Sequence, residues 1–449
     1  LYTQMKMQES APLSYIYHGK ITGNTSVEIP KLAGNDILTL DGSVSISGDM
    51  SKQDGALIFQ GHPVIHAGQT VSASQSDWEN REFSLNNLNL NNVDFSLSRN
   101  AFMNGNIRAV NQSTVIIGGD TVFTDKNDGT GNDVISVEGK SAASGTSSYT
   151  GHITLEQKSA LDIRDNFRGG VTSEDSHINV SSSSVLFSDA SSFINSSLNI
   201  HKGGALTAQG GLFTSGSIDI GDASLLLTGT PVNSDDAAFL PTINMADGGF
   251  KLMSDSSVLK ARDQASVVGD IISDKQATIS FGTESGKEGI LSEKASRGLA
   301  VGLLSGFNTA YRGAIHAPSA SATMNNTWWQ LTGDSSLRSL KNTGSMTYFT
   351  GSAANKAFHT LTVDELTTNG TAYAMRTDLK NADKLVVNQK LSGKDNILLV
   401  DFLNKPTGEK LDIELVSAPG NSSKDVFKGS EQEIGFSNVT PVITAIDAG

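Results

Sequence analysis

One short stretch of the sequence could carry a nucleophile. Residues 333–336 read GDSS, which is close to the GDSG box that surrounds a catalytic serine, but Ser336 replaces the final glycine of that box. The N–H of Gly333 could serve an oxyanion hole. Because the stretch follows directly on a predicted strand, we interpret it as a turn. No G-x-S-x-G elbow lies between a strand and a helix.

Two other stretches could bind metal ions. Residues 125–133 hold three aspartates around two glycines, but Thr130 and Ser136 stand where a calcium loop requires glycine and glutamate. His62 and His66 have the spacing of a zinc-binding helix, but a proline lies between them and would break that helix. We interpret both stretches as turns or loops.

A final candidate is the pair Asp235 and Asp236, since paired carboxylates cleave glycosidic bonds. The pair follows Asn233 and Ser234 in a turn-like stretch, which favours a surface turn. We therefore expect no catalytic, cofactor-binding or metal-binding residue in this chain, and no cofactor.

The elements that would position any site repeat along the chain. Within residues 151–229, two apolar residues at i and i+2 are followed by a second apolar position eight residues after the first, and the units begin 25, 20 and 20 residues apart. This pattern predicts short strands with one buried face, joined by polar turns. The repeated positions are Ile153, Leu155, Leu161 and Ile163; Ile178, Val180 and Leu186; Leu198, Ile200, Leu206 and Ala208; Ile218, Ile220 and Leu226, with third strands near Val171, Ile194 and Phe213.

Three short strands in each unit of 20 to 25 residues predict an all-β fold, a parallel β-helix whose stacked coils share one core. The alternative is a β-sandwich, which would favour two-residue Asn-Gly or Asp-Gly hairpin turns between longer strands. The turns here are longer and rich in serine.

The order of patterns divides the chain into two parts. Residues 1–312 are predicted to form a β-helix stalk, with a loop near 125–148 and one short helix near 296–311, where Leu299, Leu303, Phe307 and Tyr311 recur every four residues. Residues 313–449 are predicted to form better-packed C-terminal coils. Strands are expected there at 327–331, 346–349, 361–363, 372–375, 385–387, 397–402 and 411–416, and the apolar run at 397–400 suggests burial on both faces.

Composition narrows the classes of function. The net charge of −14 argues against nucleic acid and anionic membranes as partners. The absence of cysteine means that the core alone must stabilise the fold, and no run of 18 apolar residues predicts a membrane-spanning helix. Since the sequence begins with Leu1 and shows no signal peptide, we expect it to be a fragment of a longer protein.

Several collinear motifs resemble the passenger domains of the serine protease autotransporters of enteric bacteria, most closely the members that act on mucins and other secreted glycoproteins. The resemblance covers most of the chain. The motifs are residues 61–67 (GHPVIHA), 77–83 (DWENREF), 98–101 (SRNA), 123–129 (FTDKNDG), 375–379 (MRTDL), 382–387 (ADKLVV) and 435–441 (GFSNVTP).

The resemblance implies a right-handed β-helix that carries an amino-terminal chymotrypsin-like protease domain and is exported with the help of a carboxy-terminal outer-membrane β-barrel. It also implies that the last coils act as an autochaperone that folds first, and residues 329–331, 361–363 and 382–387 are similar to that region. The protease triad and the barrel are not in this sequence, so no residue inherits a catalytic role.

We therefore expect the stalk and autochaperone part of a secreted virulence-associated serine protease. The stalk is expected to be monomeric and extracellular after periplasmic transit. Its expected partners are the barrel and its assembly machinery during export, and host glycoproteins for the parent protein. The alternatives are a β-helical adhesin, which would bind host cells or itself, and a polysaccharide-cleaving β-helix enzyme, for which we find no ladder of acidic and basic residues.

Overall fold

The structure is a computed structural model of the 449-residue chain. Up to residue 165 it describes only the strands given below. Beyond that it describes residues 166–229, 243–283, 306–350, 357–406, 412–429, 432–434, 437–439 and 444–445, and side chains are described at 161, 163, 167–229, 249–283, 306–350, 357–406, 412–429 and 444–445. The chain divides into two compact units, Leu1–Gly210 and Gly211–Gly449.

The first unit consists of short strands that pair in parallel with strands of the next coil. The described strands are β1 (His18–Thr22), β2 (Ser26–Glu28), β3 (Ile37–Asp41), β4 (Ser45–Ser47), β5 (Ala56–Gln60), β6 (Val64–Ile65), β7 (Thr70–Ala73), β8 (Phe83–Leu85), β9 (Leu88–Asn91), β10 (Asp94–Leu97), β11 (Ala101–Met103), β12 (Ile107–Val110), β13 (Thr114–Thr124), β14 (Val134–Glu138), β15 (Ser148–Glu156), β16 (Ala160–Arg164), β17 (Asn166–Glu174), β18 (His177–Val180), β19 (Val185–Phe187), β20 (Ser191–Ile194), β21 (Ser197–Ile200) and β22 (Ala205–Ala208).

The second unit has the same architecture with longer strands. Its described strands are β23 (Leu212–Thr214), β24 (Ile218–Ile220), β25 (Ser224–Thr228), β26 (Ile243–Leu252), β27 (Val258–Arg262), β28 (Ser266–Ile272), β29 (Thr278–Phe281), β30 (Thr309–Gly313), β31 (Ile315–Asn325), β32 (Thr327–Leu331), β33 (Ser335–Thr343), β34 (Met346–Phe349), β35 (Thr360–Asn369), β36 (Ala372–Thr377), β37 (Lys384–Lys394), β38 (Asn396–Phe402), β39 (Val416–Ser417), β40 (Phe427–Gly429), β41 (Gln432–Ile434) and β42 (Ser437–Val439). Among the described strands of this unit, only β41 and β42 pair antiparallel as whole strands.

The register of the coils stacks like residues on one another. In the first unit β18 pairs with β16 and β21, so that Ile178 lies between Leu161 and Leu198. All three side chains are buried, and each contributes about 1.5–3 kcal/mol by leaving water. The stacked coils therefore share one continuous core in each unit, and the predicted all-β parallel β-helix is confirmed.

Several inward positions differ by one residue from the sequence prediction. In the first unit Val185 and Phe187 point inward instead of Leu186, and Phe193 points inward while Ile194 is 57% exposed. The second unit shows the same shift, because Leu225 and Leu227 are buried instead of Leu226, and Leu212 instead of Phe213. The corners vary in length by one residue, and a one-residue change reverses the faces of the next strand.

The predicted helix near 296–311 is wrong at its C-terminal end. Residues 296–305 lie outside the described residues, and Tyr311 lies in strand β30 rather than on a helix. Its ring stacks on Phe281 at 4.9 Å, and its hydroxyl donates to the carbonyl of Gly269 (2.8 Å). Four-residue spacing did not reveal that residues Thr309–Gly313 form a strand in which every residue except Arg312 is buried. This strand is paired on both sides, by β28 and β32.

The other sequence predictions have mixed outcomes. Strands β32 and β34 match their predicted bounds. Within the predicted loop near 125–148, residues 134–138 form strand β14, and the rest of that loop up to residue 147 lies outside the described residues. The strand expected at 411–416 is wrong, because residues 412–415 form no strand and β39 begins only at Val416. The division at residue 312 stays a prediction.

The described residues contain no helix that is long and apolar enough to cross a membrane.

Candidate functional site in the C-terminal coils

The interior of the C-terminal coils is packed with large aromatic side chains. Trp329 on β32 and Tyr311 on β30 are almost fully buried, and their ring centroids lie 6.2 Å apart. The indole N–H of Trp329 donates to the carbonyl of Gly313 (3.0 Å), so its polar atom is satisfied inside the core. This stack places the predicted autochaperone residues 329–331 at the centre of the packing.

Strands β32, β34, β36 and β38 are also apolar on the face that points away from the interior. We call this surface the outer apolar face. It consists of Phe307, Trp328, Met346, Tyr348, Ala372, Ala374, Ile397 and Leu399, which form one hydrophobic cluster.

Register explains how the outer apolar face forms. Trp328 pairs with Met346, Met346 with Ala372, and Ala372 with Ile397 along the successive strands β32, β34, β36 and β38. All six residues of β36 are buried, so this strand is covered on both faces. The double-sided burial predicted for 397–400 is confirmed at Leu398, Leu399 and Val400, and it extends to β36, which the prediction missed.

A buried ion pair closes the outer apolar face at one end, and we call it the Arg376 clasp. Arg376 binds Asp383 through two hydrogen bonds, Nε to Oδ2 at 2.9 Å and Nη2 to Oδ1 at 3.0 Å. The Asp383 side chain is fully buried, and the Arg376 side chain is 10% exposed. The carboxylate also accepts the backbone N–H of Arg376 and of His359, both at 2.8 Å.

A tight turn brings the two residues of the clasp together. After β36 the chain reverses at residues 378–381, and an antiparallel bridge joins Thr377 to Ala382. The hydroxyl of Thr377 donates to the carbonyl of Asn381 (2.8 Å), and Leu379 takes a left-handed φ of 78°. Asp383 therefore returns directly beside Arg376, seven residues after it.

The clasp also ties down the segment that precedes β35. The guanidinium Nη2 of Arg376 donates to the carbonyl of Ala357 (2.8 Å), and its carbon lies 5.5 Å from the centroid of the Phe358 ring. Three separate segments thus meet at one buried charge pair: the end of β36, the turn after it and residues 357–359. Sequence reasoning quoted both residues as parts of motifs but gave no sign that they bind each other.

A second carboxylate lies next to the clasp without sharing its hydrogen bonds. Asp401 on β38 is in register with Arg376. Partial burial raises the pKa of Asp401, Arg376 opposes that shift, and Asp383 adds to it. Burial, with a contribution from Asp401, also raises the pKa of Tyr348.

Asp401→Asn is expected to raise stability at pH 7 and to flatten its pH dependence. Because the folded pKa of Asp401 lies above the unfolded value of about 3.9, the folded state holds the proton more readily, and stability falls as pH rises from about 4 through the raised pKa. Urea midpoints measured between pH 4 and pH 7 test this expectation. Asp395→Asn, at an exposed carboxylate, is the control, and equal pH slopes in wild type and Asp401→Asn would rule the account out.

A cluster of polar side chains is buried inside the same coils. The hydroxyl of Thr368 donates to Oδ1 of Asn396 (2.7 Å). Because the Thr368 proton is used in that bond, the Tyr373 hydroxyl donates to Thr368 Oγ1 (2.7 Å). Asn342 donates to the hydroxyls of Thr347 and Tyr373 at 3.0 and 3.3 Å. Burial raises the pKa of Tyr373 to about 12, so this phenol stays protonated at neutral pH.

Only one of the stretches with candidate chemistry lies among the described residues. Ser335 starts β33 and is buried. Its hydroxyl donates to Gly333 O (3.1 Å) and accepts the N–H of Ile315 (3.0 Å), which gives it a structural role at a corner. The stretch at 125–133, the histidines His62 and His66, and the pair at 235–236 lie outside the described residues. Across the part of the chain that the structure describes, no three His, Cys, Asp or Glu residues are grouped as they would be around a metal ion.

Comparison with known proteins shows which family models and proteins this chain resembles. Residues 23–180 match the family model of the PIC/HAP1/IgA0 second beta-solenoid repeat region, and residues 337–435 match the Pertactin model. The serine protease SepA autotransporter of Shigella flexneri is 43% identical over 447 residues, 98% of this chain and 32% of that protein. The chain is a homologue of the serine protease autotransporters. The serine protease EspP of Escherichia coli is 43% identical over 96% of this autotransporter homologue, which covers 36% of EspP. The serine protease EatA of Escherichia coli O78:H11 is 41% identical over 98% of the homologue, which covers 32% of EatA.

The fold agrees with that of an autotransporter passenger domain. The crystal structure of the passenger domain of Plasmid encoded toxin, an autotransporter enterotoxin from enteroaggregative Escherichia coli, is similar with a TM-score of 0.55 and 23% identity, covering 97% of this chain and 63% of that one. The autotransporter homologue spans about a third of the length of the curated relatives it matches.

Proposed function

We propose that this chain is the β-helical stalk of a secreted autotransporter serine protease and that its last coils are the autochaperone that starts folding outside the cell. The stalk is extracellular and monomeric, and it carries a chymotrypsin-like protease domain at its amino-terminal side. During export its partners are the outer-membrane barrel and the assembly machinery. The substrates of the parent protease are host secreted or surface glycoproteins such as mucins.

The observation that carries this proposal is that the outer apolar face and the Arg376 clasp lie largely within the region that matches the Pertactin family model. Residues 337–435 include β34, β36 and β38 of the outer apolar face and both residues of the Arg376 clasp. A segment that folds first must hold together before the other coils can cover it. Strands buried on both faces and a fully hydrogen-bonded internal ion pair allow these coils to hold together without the coils that precede them.

The full-length gene product tests this proposal. We expect an upstream domain with a GDSG serine box and matching His and Asp residues, and we expect the passenger in the culture medium of cells that express the gene. Asp383→Ala is expected to leave more precursor in the outer membrane and less passenger in the medium than Lys428→Met, which removes an exposed charge. An upstream segment without the serine box, or equal secretion of the two variants, would contradict the proposal.

A further inference from the structure

An Asn-Gly pair lies at one corner of the C-terminal coils. Asn369 is the last residue of β35, and Gly370 forms the corner that leads towards β36. Gly370 has a left-handed φ of 56°, which glycine adopts without strain. The sequence holds one other Asn-Gly pair, Asn104 and Gly105, which lies outside the described residues.

Asparagine followed by glycine is the pair at which a main chain most readily attacks its own side chain. At this corner the backbone nitrogen of Gly370 would bond to Cγ of Asn369, and the proton of that nitrogen would leave with the side-chain amide as ammonia. Water then opens the cyclic imide at one of its two carbonyls, which leaves either an aspartate or an isoaspartate. The reaction needs no enzyme, metal ion or oxidant, so the corner and water supply every group involved.

One residue of the next coil holds both reacting groups in the folded chain. The N–H of Gly370 donates to the carbonyl of Lys394 (3.1 Å), and the N–H of Lys394 donates to Oδ1 of Asn369 (3.1 Å). Asn369 and Lys394 are in register along β35 and β37. The attacking nitrogen and the amide that it attacks are both engaged, so the imide cannot close until Lys394 moves away.

Other left-handed corners of these coils do not combine the two residue types. They are formed by Asn326, Gly344 and Asp395. Gly344 has no side chain to be attacked, while threonine follows Asn326 and asparagine follows Asp395. A side chain on the following residue hinders attack by its nitrogen. Of these four corners, the one at Asn369 is therefore the reactive one.

The isoaspartate product does not fit this corner. It would lengthen the main chain between β35 and β36 by one carbon, yet all six residues of β36 are buried. Thr371, directly before β36, is also buried, and its N–H donates to Oδ1 of Asn396 (3.1 Å). The carbonyl of Asn369 accepts the N–H of Gly344 (3.0 Å). An aspartate, in contrast, keeps both the chain length and the oxygen that accepts the N–H of Lys394.

We propose that Asn369 is a deamidation site that the coil containing Lys394 protects, so that it reacts only while that coil is undocked. The aspartate product is accepted by the folded C-terminal coils, whereas the isoaspartate product is excluded from them. This inference goes beyond the proposed function and does not depend on it.

Peptide mapping by mass spectrometry tests the site on the whole chain, aged in mildly alkaline buffer with and without urea. In urea we expect Asn369 and Asn104 to deamidate at similar rates. Without urea Asn369 is expected to react at least about tenfold more slowly than in urea, because both bonds to Lys394 must open first. No reaction of Asn369 in urea, or equal rates under the two conditions, would overturn the proposal.

A substitution in the next coil tests the role of Lys394. Gly393 has a φ of 124°, and a Cβ there would collide with the carbonyl oxygen of Thr368. Gly393→Ala is therefore expected to push Lys394 off the corner and to speed deamidation of Asn369 without urea. Gly420→Ala is the matched control, because a Cβ at Gly420 meets no atom within 4 Å, and it is expected to leave the rate unchanged.

Circular dichroism shows whether both variants are folded. An unchanged rate at Asn369 in folded Gly393→Ala would show that Lys394 does not protect the site. If Gly393→Ala does not fold, the comparison of the wild type with and without urea decides.

Refolding separates the two products. Chain that has been aged in urea is diluted into buffer, and the folded fraction is isolated by size-exclusion chromatography and mapped. We expect that fraction to retain aspartate at position 369 and to be depleted of isoaspartate. Asn369→Asp is the control, and it is expected to refold like the wild type. The same share of isoaspartate in the folded fraction as in the aged chain would contradict its exclusion from the corner.

Discussion

Asp383→Ala is expected to lower the free energy of unfolding of the C-terminal coils by about 3–5 kcal/mol, because it leaves Arg376 as an unpaired buried charge. The substitution also removes the acceptor of two buried backbone N–H groups, those of Arg376 and His359. Urea unfolding followed by tryptophan fluorescence measures the effect. A Trp78→Phe background confines the signal to Trp328 and Trp329, since the chain has three tryptophans.

Two further variants separate charge from packing at the clasp. Asp383→Asn keeps one oxygen acceptor and nearly the same volume, so we expect a loss smaller than that of Asp383→Ala. Lys428→Met breaks an exposed ion pair of 3.8 Å whose side chains are 68% and 65% exposed, and such pairs contribute about 0–1 kcal/mol. A loss for Asp383→Ala no larger than that for Lys428→Met would show that the clasp does not stabilise these coils.

Trp329→Ala is expected to lower the free energy of unfolding by about 3–5 kcal/mol, because it removes the largest fully buried side chain among the described residues and leaves a cavity beside Tyr311. It also leaves the carbonyl of Gly313 without the indole donor. Thermal unfolding followed by circular dichroism measures the loss. Trp328→Ala on the same strand is the control, since Trp328 is only partly buried and lies on the outer apolar face. Equal losses for the two variants would contradict the account of an inward aromatic stack.

The fold class followed from the sequence because each coil repeats the same local rule. Two apolar residues at i and i+2 are enough to locate a strand, and this rule found β32 and β34 at their observed bounds. It is harder to predict which residues of a strand point into the core. A corner that loses one residue turns Val185 and Phe187 inward in place of Leu186, and no local pattern reports the length of the corner.

Long-range features were beyond local patterns for a different reason. The strand that contains Tyr311 is stabilised by coils on both sides, while its four-residue spacing to Phe307 resembles one face of a helix. The outer apolar face requires the register of four strands, and the Arg376 clasp requires the turn that brings Asp383 back. That the C-terminal coils are better packed than the rest stays a prediction from the sequence, whereas the individual contacts within these coils could be named only from the structure.

Native-state hydrogen exchange across a urea gradient tests most directly the central claim, that the C-terminal coils are the stable nucleus of the chain. The amides of β32, β34, β36 and β38 are predicted to stay protected at urea concentrations that already open the coils of residues 166–208. Loss of all protection in one transition, or coils of the first unit that outlast β36, would contradict it.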